Sequence, residues 1–375
     1  MKKSDYQKQF DRLMGFEGEA EDKLACCQQA IDLAELHGDP WGSFIARLEF
    51  ICTGMFNARH EEDLVHFVKC IEISREHPQY LESHGNLMAV IAKSTVGSVA
   101  CYAAVTRSQI DGALNQMKSL YERAGWNERA IHKVRMNLAY ILGNVAELPV
   151  HRERWRSMPP DKGSDCDACE TASLCKSYLD TNQLEEALEL GAPLIDAKLK
   201  CGSEPGGTDA ALLVPLLRAG KLSLAQRLMR RTLPELHKKS GYFDDTGRFM
   251  AYLAATGQFT RAVKVFETGL RFYPKVRRDW DRFWMLAGSC VLLKFLTARG
   301  RVRISLHVPS EIPWHRSDDR YAIKEIAAWT DAEVRELARR FDLRNGNHHF
   351  SGILRDFERL LDNPISLPRT IRQNP

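Results

Sequence analysis

Only one group of side chains in this sequence combines chemically useful residue types with a useful spacing. Cys166 and Cys169 form a C-x-x-C pair, and Cys201 follows at the far end of the helix pair that begins there. A helical hairpin returns its chain close to where it started, so Cys201 is expected beside the other two thiols. Three cysteines supply three corners of a structural zinc site, which takes four ligands, and no fourth ligand is evident. Packing groups and a redox-sensitive pair are the other readings of the same residues. Cys175, six positions after Cys169, is turned to another helix face. Asp342, His348 and His349 in the tail, and Trp314-His315-Arg316 before it, are also types that hold metals or move protons. They read instead as caps and solvated groups at helix junctions, because no nucleophile, base and orienting group stand together. GxxxxGK(S/T), GxGxxG, HExxH and GxSxG are all absent from the sequence. The chain is therefore read as non-enzymatic, with no cofactor and no assigned metal.

The elements that must position these groups are helical. The spacing "apolar, five residues, apolar, two residues, Ala" occurs at Tyr178, Leu184 and Ala187, at Leu216, Leu222 and Ala225, and at Leu253, Phe259 and Ala262. A turn residue precedes each middle position by two: Asn182, Gly220 and Gly257. The steps from Leu184 to Leu222 and from Leu222 to Phe259 are 38 and 37 residues. A fixed step of that size marks a helical-repeat array. Each unit predicts a helix, a turn capped in the left-handed region where Gly or Asn costs least, and a second helix whose Ala lets two backbones approach. One hairpin leaves an apolar face uncovered, so stability must come from stacking on the next. The expected fold is all-α, an α-solenoid of stacked antiparallel hairpins.

Degenerate helical repeats are expected over 1–157. Helices are read at Ser4–Met14 and from about Glu19 to Leu36, the latter burying Leu24, Cys27, Ile31 and Ala34. Others follow at 41–58, 61–76, 82–105 and 107–124. MPPDKGSDCDAC breaks any helix and makes 158–168 a linker. Better-formed repeats and an apolar closing helix, Trp280 to Ala298, occupy 169–298. An extended basic arm or loop fills 299–317, where residues 301–308 alternate as a strand would. Two helices, about 318–343 and 349–361, form a C-terminal cap over 318–375, with Gly346 ending the first.

The repeat spacing resembles the tetratricopeptide repeat family. The segment from Ser164 to Pro205, followed by LLVPLLRAGKLSLAQ and YLAATGQFTRAVKVFE, is similar to an uncharacterised group of bacterial tetratricopeptide-repeat proteins. That group carries a D-C-x-A-C segment, a later Cys before a Pro, and an F-D-x-R-N-G-x ending that Phe341 to Asn347 match. The resemblance covers about the C-terminal 215 residues. It implies histidines in the second and third repeats, where this chain has Met229 and Phe249.

Of the 375 residues, 44% are hydrophobic and 27% charged, as in a folded protein, and no run approaches the length of a membrane span. The first sixteen residues hold no apolar leader core, so a cytoplasmic location is expected, with cysteines scattered as suits a reducing compartment. The net charge of +4 conceals an asymmetry: residues 227–375 hold 28 Lys and Arg against 17 Asp and Glu, giving +11, and the remainder carries −7. The expected function is a scaffold or adaptor that binds a protein or peptide through Arg227, Arg230, Arg231, Arg271, Lys275, Arg277 and Arg278, with no membrane. A nucleic-acid-binding or regulatory protein using the same basic half is the alternative.

Overall fold

The computed structural model describes residues 3–54, 60–202, 204–237 and 243–362. Among them are seventeen α-helices and one two-stranded antiparallel sheet, so the fold is all-α as expected. None of the described helices is long and apolar enough to cross a membrane. Two compact units are present, residues 1–100, 107–135 and 154–164, and residues 101–106, 136–153 and 165–375.

The first unit holds α1 (Lys3–Met14), α2 (Ala20–Leu36), α3 (Pro40–Gly54), α4 (His60–Glu76), α5 (Tyr80–Val99) and α6 (Arg107–Ala124), each packed on its successor as far as α6 except that nothing of 55–59 is described. Leu24, Cys27, Ile31 and Ala34 of α2 form the expected buried stripe, covered by Tyr6, Phe10 and Leu13 of α1 and by Ala46 and Phe50 of α3. Asp39 starts α3 by accepting the Gly42 amide at 3.0 Å, and its other oxygen accepts the Tyr6 hydroxyl at 2.5 Å. The segment that breaks helix at Pro159 and Pro160 is ordered. Asp161 accepts the Asn127 amide at 2.7 Å, and the Gly163 carbonyl accepts Lys93 Nζ at 2.8 Å.

The second unit contains the three repeats as hairpins: α9 (Asp167–Leu179) with α10 (Leu184–Ile195), α11 (Gly206–Arg218) with α12 (Leu222–Leu236), and α13 (Asp245–Ala255) with α14 (Phe259–Phe272). Asn182, Gly220 and Gly257 have φ of 57°, 69° and 73°. At each turn the same hydrogen bond closes: Gln183 N–H to Tyr178 O at 2.9 Å, Lys221 to Leu216 at 2.9 Å and Gln258 to Leu253 at 2.8 Å. That bond is the six-to-one closure of a left-handed helix end, and it explains the five-residue gap between the two apolar positions. Ala187, Ala225 and Ala262 are completely buried.

Between α6 and α9 lie α7 (Arg129–Ile141) and α8 (Leu148–Ser157). Residues 136–153 pack with the second unit, which the sequence boundary at 157 does not anticipate. Arg152 on α8 explains part of this: its guanidinium lies 3.7 Å from the Tyr178 ring centre and donates to the Ser177 carbonyl at 3.2 Å. α15 (Asp279–Ala298) is the apolar helix expected, but it is interior: α13 packs on one side, and α16 (Ile323–Asn345) and α17 (His349–Glu358) on others. α13 and α15 meet backbone to backbone at Gly247 and Gly288, where a Cβ on Gly247 would stand 1.8 Å from the Trp284 carbonyl oxygen. The arm pairs as β1 (Arg303–Ser305) with β2 (Arg320–Ala322), Ile304 opposite Tyr321. Gly346 ends α16 at φ 70°, as expected.

Candidate functional site

Cys166 is the N-cap residue of α9 and Cys169 lies in its first turn, so both thiols are presented from one helix start. Cys201 follows α10 and packs against Ala168, Ala172 and Leu194, which brings it to the same end of the hairpin. The three sulfurs all lie within 4.8 Å of one another, and the Cys169 and Cys201 sulfurs are 3.3 Å apart. The loop carrying Cys201 is held independently. Its amide donates to the Glu204 carbonyl at 3.1 Å, and the Glu204 carboxylate accepts the Thr208 amide at 2.9 Å and Lys176 Nζ at 2.9 Å. Burial, then hydrogen bonding with the two neighbouring cysteines that favours the protonated thiol, pushes the Cys169 pKa well above the ordinary thiol range. Cys175 instead is a packing group, buried against Gly191 with its pKa pushed up to about 12 by burial. Met229 and Phe249, where the resemblance puts histidines, are completely buried and supply no ligand.

The seven basic residues separate into distinct roles. Arg227, Arg271, Lys275 and Arg277 are exposed, and Arg230 is half-buried. Arg231 and Arg278 depart from the expected partner surface because their guanidinium groups are engaged inward. Arg231 grips the fully buried Asp209 carboxylate through Nε at 2.8 Å and Nη2 at 2.5 Å. Arg278 lies 3.4 Å from Asp281 and 3.3 Å from the Cys101 sulfur. Arg271 alone of the seven lines a cleft, of about 570 Å³, with His237 at the end of α12, Lys264, Glu267 and Thr268 of α14, and His307, Val308, Pro309 and Asp319 of the arm.

The charges of this cleft are unequally committed. Glu267 accepts the His307 amide at 2.6 Å, which fastens the arm to α14, and Asp319 contacts His307 Nδ1 at 2.8 Å within the arm, so both carboxylates are engaged by His307. Arg271 donates to the His237 carbonyl at 2.8 Å, and neither it nor Lys264 has an acid partner among the described residues. Burial and then the positive charges of Lys264 and Arg271 lower the His237 pKa. No family model and no curated protein matches the chain. Of the lining residues the sequence reading named only Arg271 as a binding residue. Lys264, Glu267, Thr268 and Arg271 form a polar stripe at helical spacing opposite the buried Ala262, Val265, Phe266 and Leu270, and that periodicity is the signal that could have found the others.

A second polar surface lies among the first helices of the hairpins. Arg248 sits 4.1 Å over the Trp284 ring and 3.2 Å from Asp245, and Tyr140 packs edge-on to Trp280. Burial lifts the Asp180 carboxyl to about 7 against the opposing pull of Arg248 and Lys176. Lys176 donates to the Glu204 carboxylate at 2.9 Å. The tail residues resolve as caps: Asp342 accepts the Phe350 amide at 2.8 Å and the Ser351 hydroxyl at 2.6 Å, which starts α17. His348 is the N-cap residue of that helix, and His349 packs edge-on to Tyr140. His315 Nδ1 lies 2.9 Å from the Val308 carbonyl, and the Trp314 ring packs edge-on to Tyr321 and Trp329.

Proposed function

We propose that the chain is a non-enzymatic, tetratricopeptide-like interaction scaffold, and that the α12–α14 cleft of its second unit holds an acidic segment of a partner protein. The observation that carries this reading is the imbalance of commitment in the cleft: among the described residues Lys264 and Arg271 have no acid partner, while Glu267 and Asp319 are tied to His307. An anionic side chain or chain terminus entering between them gains two charge-assisted contacts at no cost to existing ion pairs. The cleft volume of about 570 Å³ suits a few residues of an extended peptide.

The test is binding of arrayed acidic peptides to the full-length chain, with charge-neutral sequences of equal length as reference and Lys264→Glu/Arg271→Glu as the variant. Salt-sensitive binding of acidic peptides, at least tenfold weaker in the variant, is the expected result. His237 supplies a local readout, since an anion beside it removes part of the positive field and raises its pKa. Equal binding of acidic and neutral peptides overturns the reading. Capture of a homopolymeric RNA with the same variant sensitivity replaces it with the nucleic-acid alternative favoured by the basic C-terminal half.

A further inference from the structure

We propose that Cys166, Cys169 and Cys201 form a three-thiolate site for a thiophilic d10 cation, zinc in the first instance, with the fourth position completed by water or by a ligand from outside the chain. Zn–S bonds of about 2.3 Å place tetrahedral thiolates about 3.8 Å apart. The observed cluster, with all three sulfurs within 4.8 Å and those of Cys169 and Cys201 3.3 Å apart, brackets that spacing. Its backbone is already fixed by features that owe nothing to a metal: the α9 cap, the Ala168, Ala172 and Leu194 packing behind Cys201, and the Glu204 bracket. Cys166 is exposed, which leaves an ion a path in and an open corner. The first turn of α9 adds the positive end of a thirteen-residue helix, which favours thiolates over thiols.

Binding exchanges charge in a defined way. Each coordinating thiol loses its proton to solvent as its S–Zn bond forms, and no electron moves. Because every ligand must give up its proton to bind, affinity falls as pH falls. Oxidation of Cys169 and Cys201 to a disulfide, with two electrons and two protons passing to an oxidant such as dissolved oxygen, is the competing fate of the same sulfurs.

The experiment uses the full-length chain, reduced, stripped with chelator and reloaded with Zn2+ or Co2+. One equivalent of bound metal and the sulfur-to-cobalt charge-transfer absorption of tetrahedral coordination are expected. Cys166→Ser is the informative variant, because serine is well suited to the helix N-cap position that Cys166 occupies while it removes a thiolate ligand. Metal content should fall from one equivalent to background in Cys166→Ser and stay at one in Cys290→Ala, whose thiol is buried outside the cluster. Circular dichroism shows whether each variant is folded. Background metal in the wild-type chain, binding that survives in Cys166→Ser, or Cys169–Cys201 disulfide formation that persists when Zn2+ is present overturns the proposal.

Discussion

Replacing Arg231 with Ala separates a structural cation from a recognition surface. Asp209 is completely buried and receives Arg231 Nε at 2.8 Å, Arg231 Nη2 at 2.5 Å and the Thr232 hydroxyl at 2.6 Å. The same guanidinium donates to the Ile195 carbonyl at 2.8 Å and the Leu194 carbonyl at 3.2 Å, which joins the end of the first hairpin to the second. Removing one partner of a buried pair costs about 3–5 kcal/mol, because the other charge is left uncompensated. Arg231 is 28% exposed, so water reaches part of its site, and Asp209 keeps Thr232. The lower end, about 3 kcal/mol, is therefore expected, roughly a hundredfold in the folding equilibrium. Urea unfolding at pH 7, followed by far-ultraviolet circular dichroism, measures it. Burial already raises the Asp209 pKa despite Arg231, and removing the cation raises it further. A raised carboxyl pKa gives stability that is lost as pH rises through it, so the deficit should shrink toward acid pH. Asp209→Asn added to Arg231→Ala should recover part of the loss at pH 7. Arg227→Ala, at an exposed position, should change stability by under about 0.5 kcal/mol. A loss under about 1 kcal/mol for Arg231→Ala, or no recovery in the double variant, refutes the buried-pair reasoning.

Two further perturbations report on other parts of the chain. Gly247→Ala sets a Cβ 1.8 Å from the Trp284 carbonyl and should destabilise the α13–α15 contact by about 3 kcal/mol or more, whereas Gly97→Ala, with nothing within 4 Å, should be neutral or mildly stabilising in thermal melts. In the first unit, burial and then Arg47 lower the His66 pKa to about 4, with Arg47 Nη1 2.7 Å from Nδ1. The unfolded chain takes up the proton first, so stability is complete above about pH 6.5 and falls toward pH 4. The loss between pH 7 and pH 5 should be about 2 kcal/mol, and His66→Asn should flatten it in paired urea titrations.

The three hairpins were legible because one hydrogen-bonded turn, repeated at Gln183, Lys221 and Gln258, imposes one apolar spacing that survives sequence drift. Gly346 and the Asp342 cap were legible for the same reason, as local backbone requirements. The pairing of the arm was not, since Arg320–Ala322 is too short to show alternation. The alternation at 301–308 also overstates burial there: Leu306 is buried, while Val302 is 74% exposed. The inward engagement of Arg231 was not legible because its partner, Asp209, lies on the facing helix, and composition counts both charges without revealing that they meet. The cysteine cluster was legible from topology alone, because a hairpin's two ends coincide. The cleft required a contact between α14 and an arm 40 residues later, from Glu267 to His307, which no local pattern encodes.

That long-range contact also bears on how the cleft would bind. The arm is fixed at several points. Ile304 pairs with Tyr321, the Tyr321 hydroxyl bridges the Arg316 amide and carbonyl at 3.2 Å each, and Trp314 packs between Tyr321 and Trp329. Trp329 in turn meets Tyr273, next to the end of α14. The cleft wall is therefore ordered when the chain folds, and an occupant does not have to order it. His307, whose side chain is 85% exposed, is held by its amide and by Asp319 rather than by packing. With little loop ordering to offset, affinity for an acidic segment should follow the charges of Lys264 and Arg271 directly. Glu267→Gln removes one cleft anion and weakens the arm's anchor. Its effect thus sets charge against order: tighter acidic-peptide binding means the field dominates, and weaker binding means the arm's placement does.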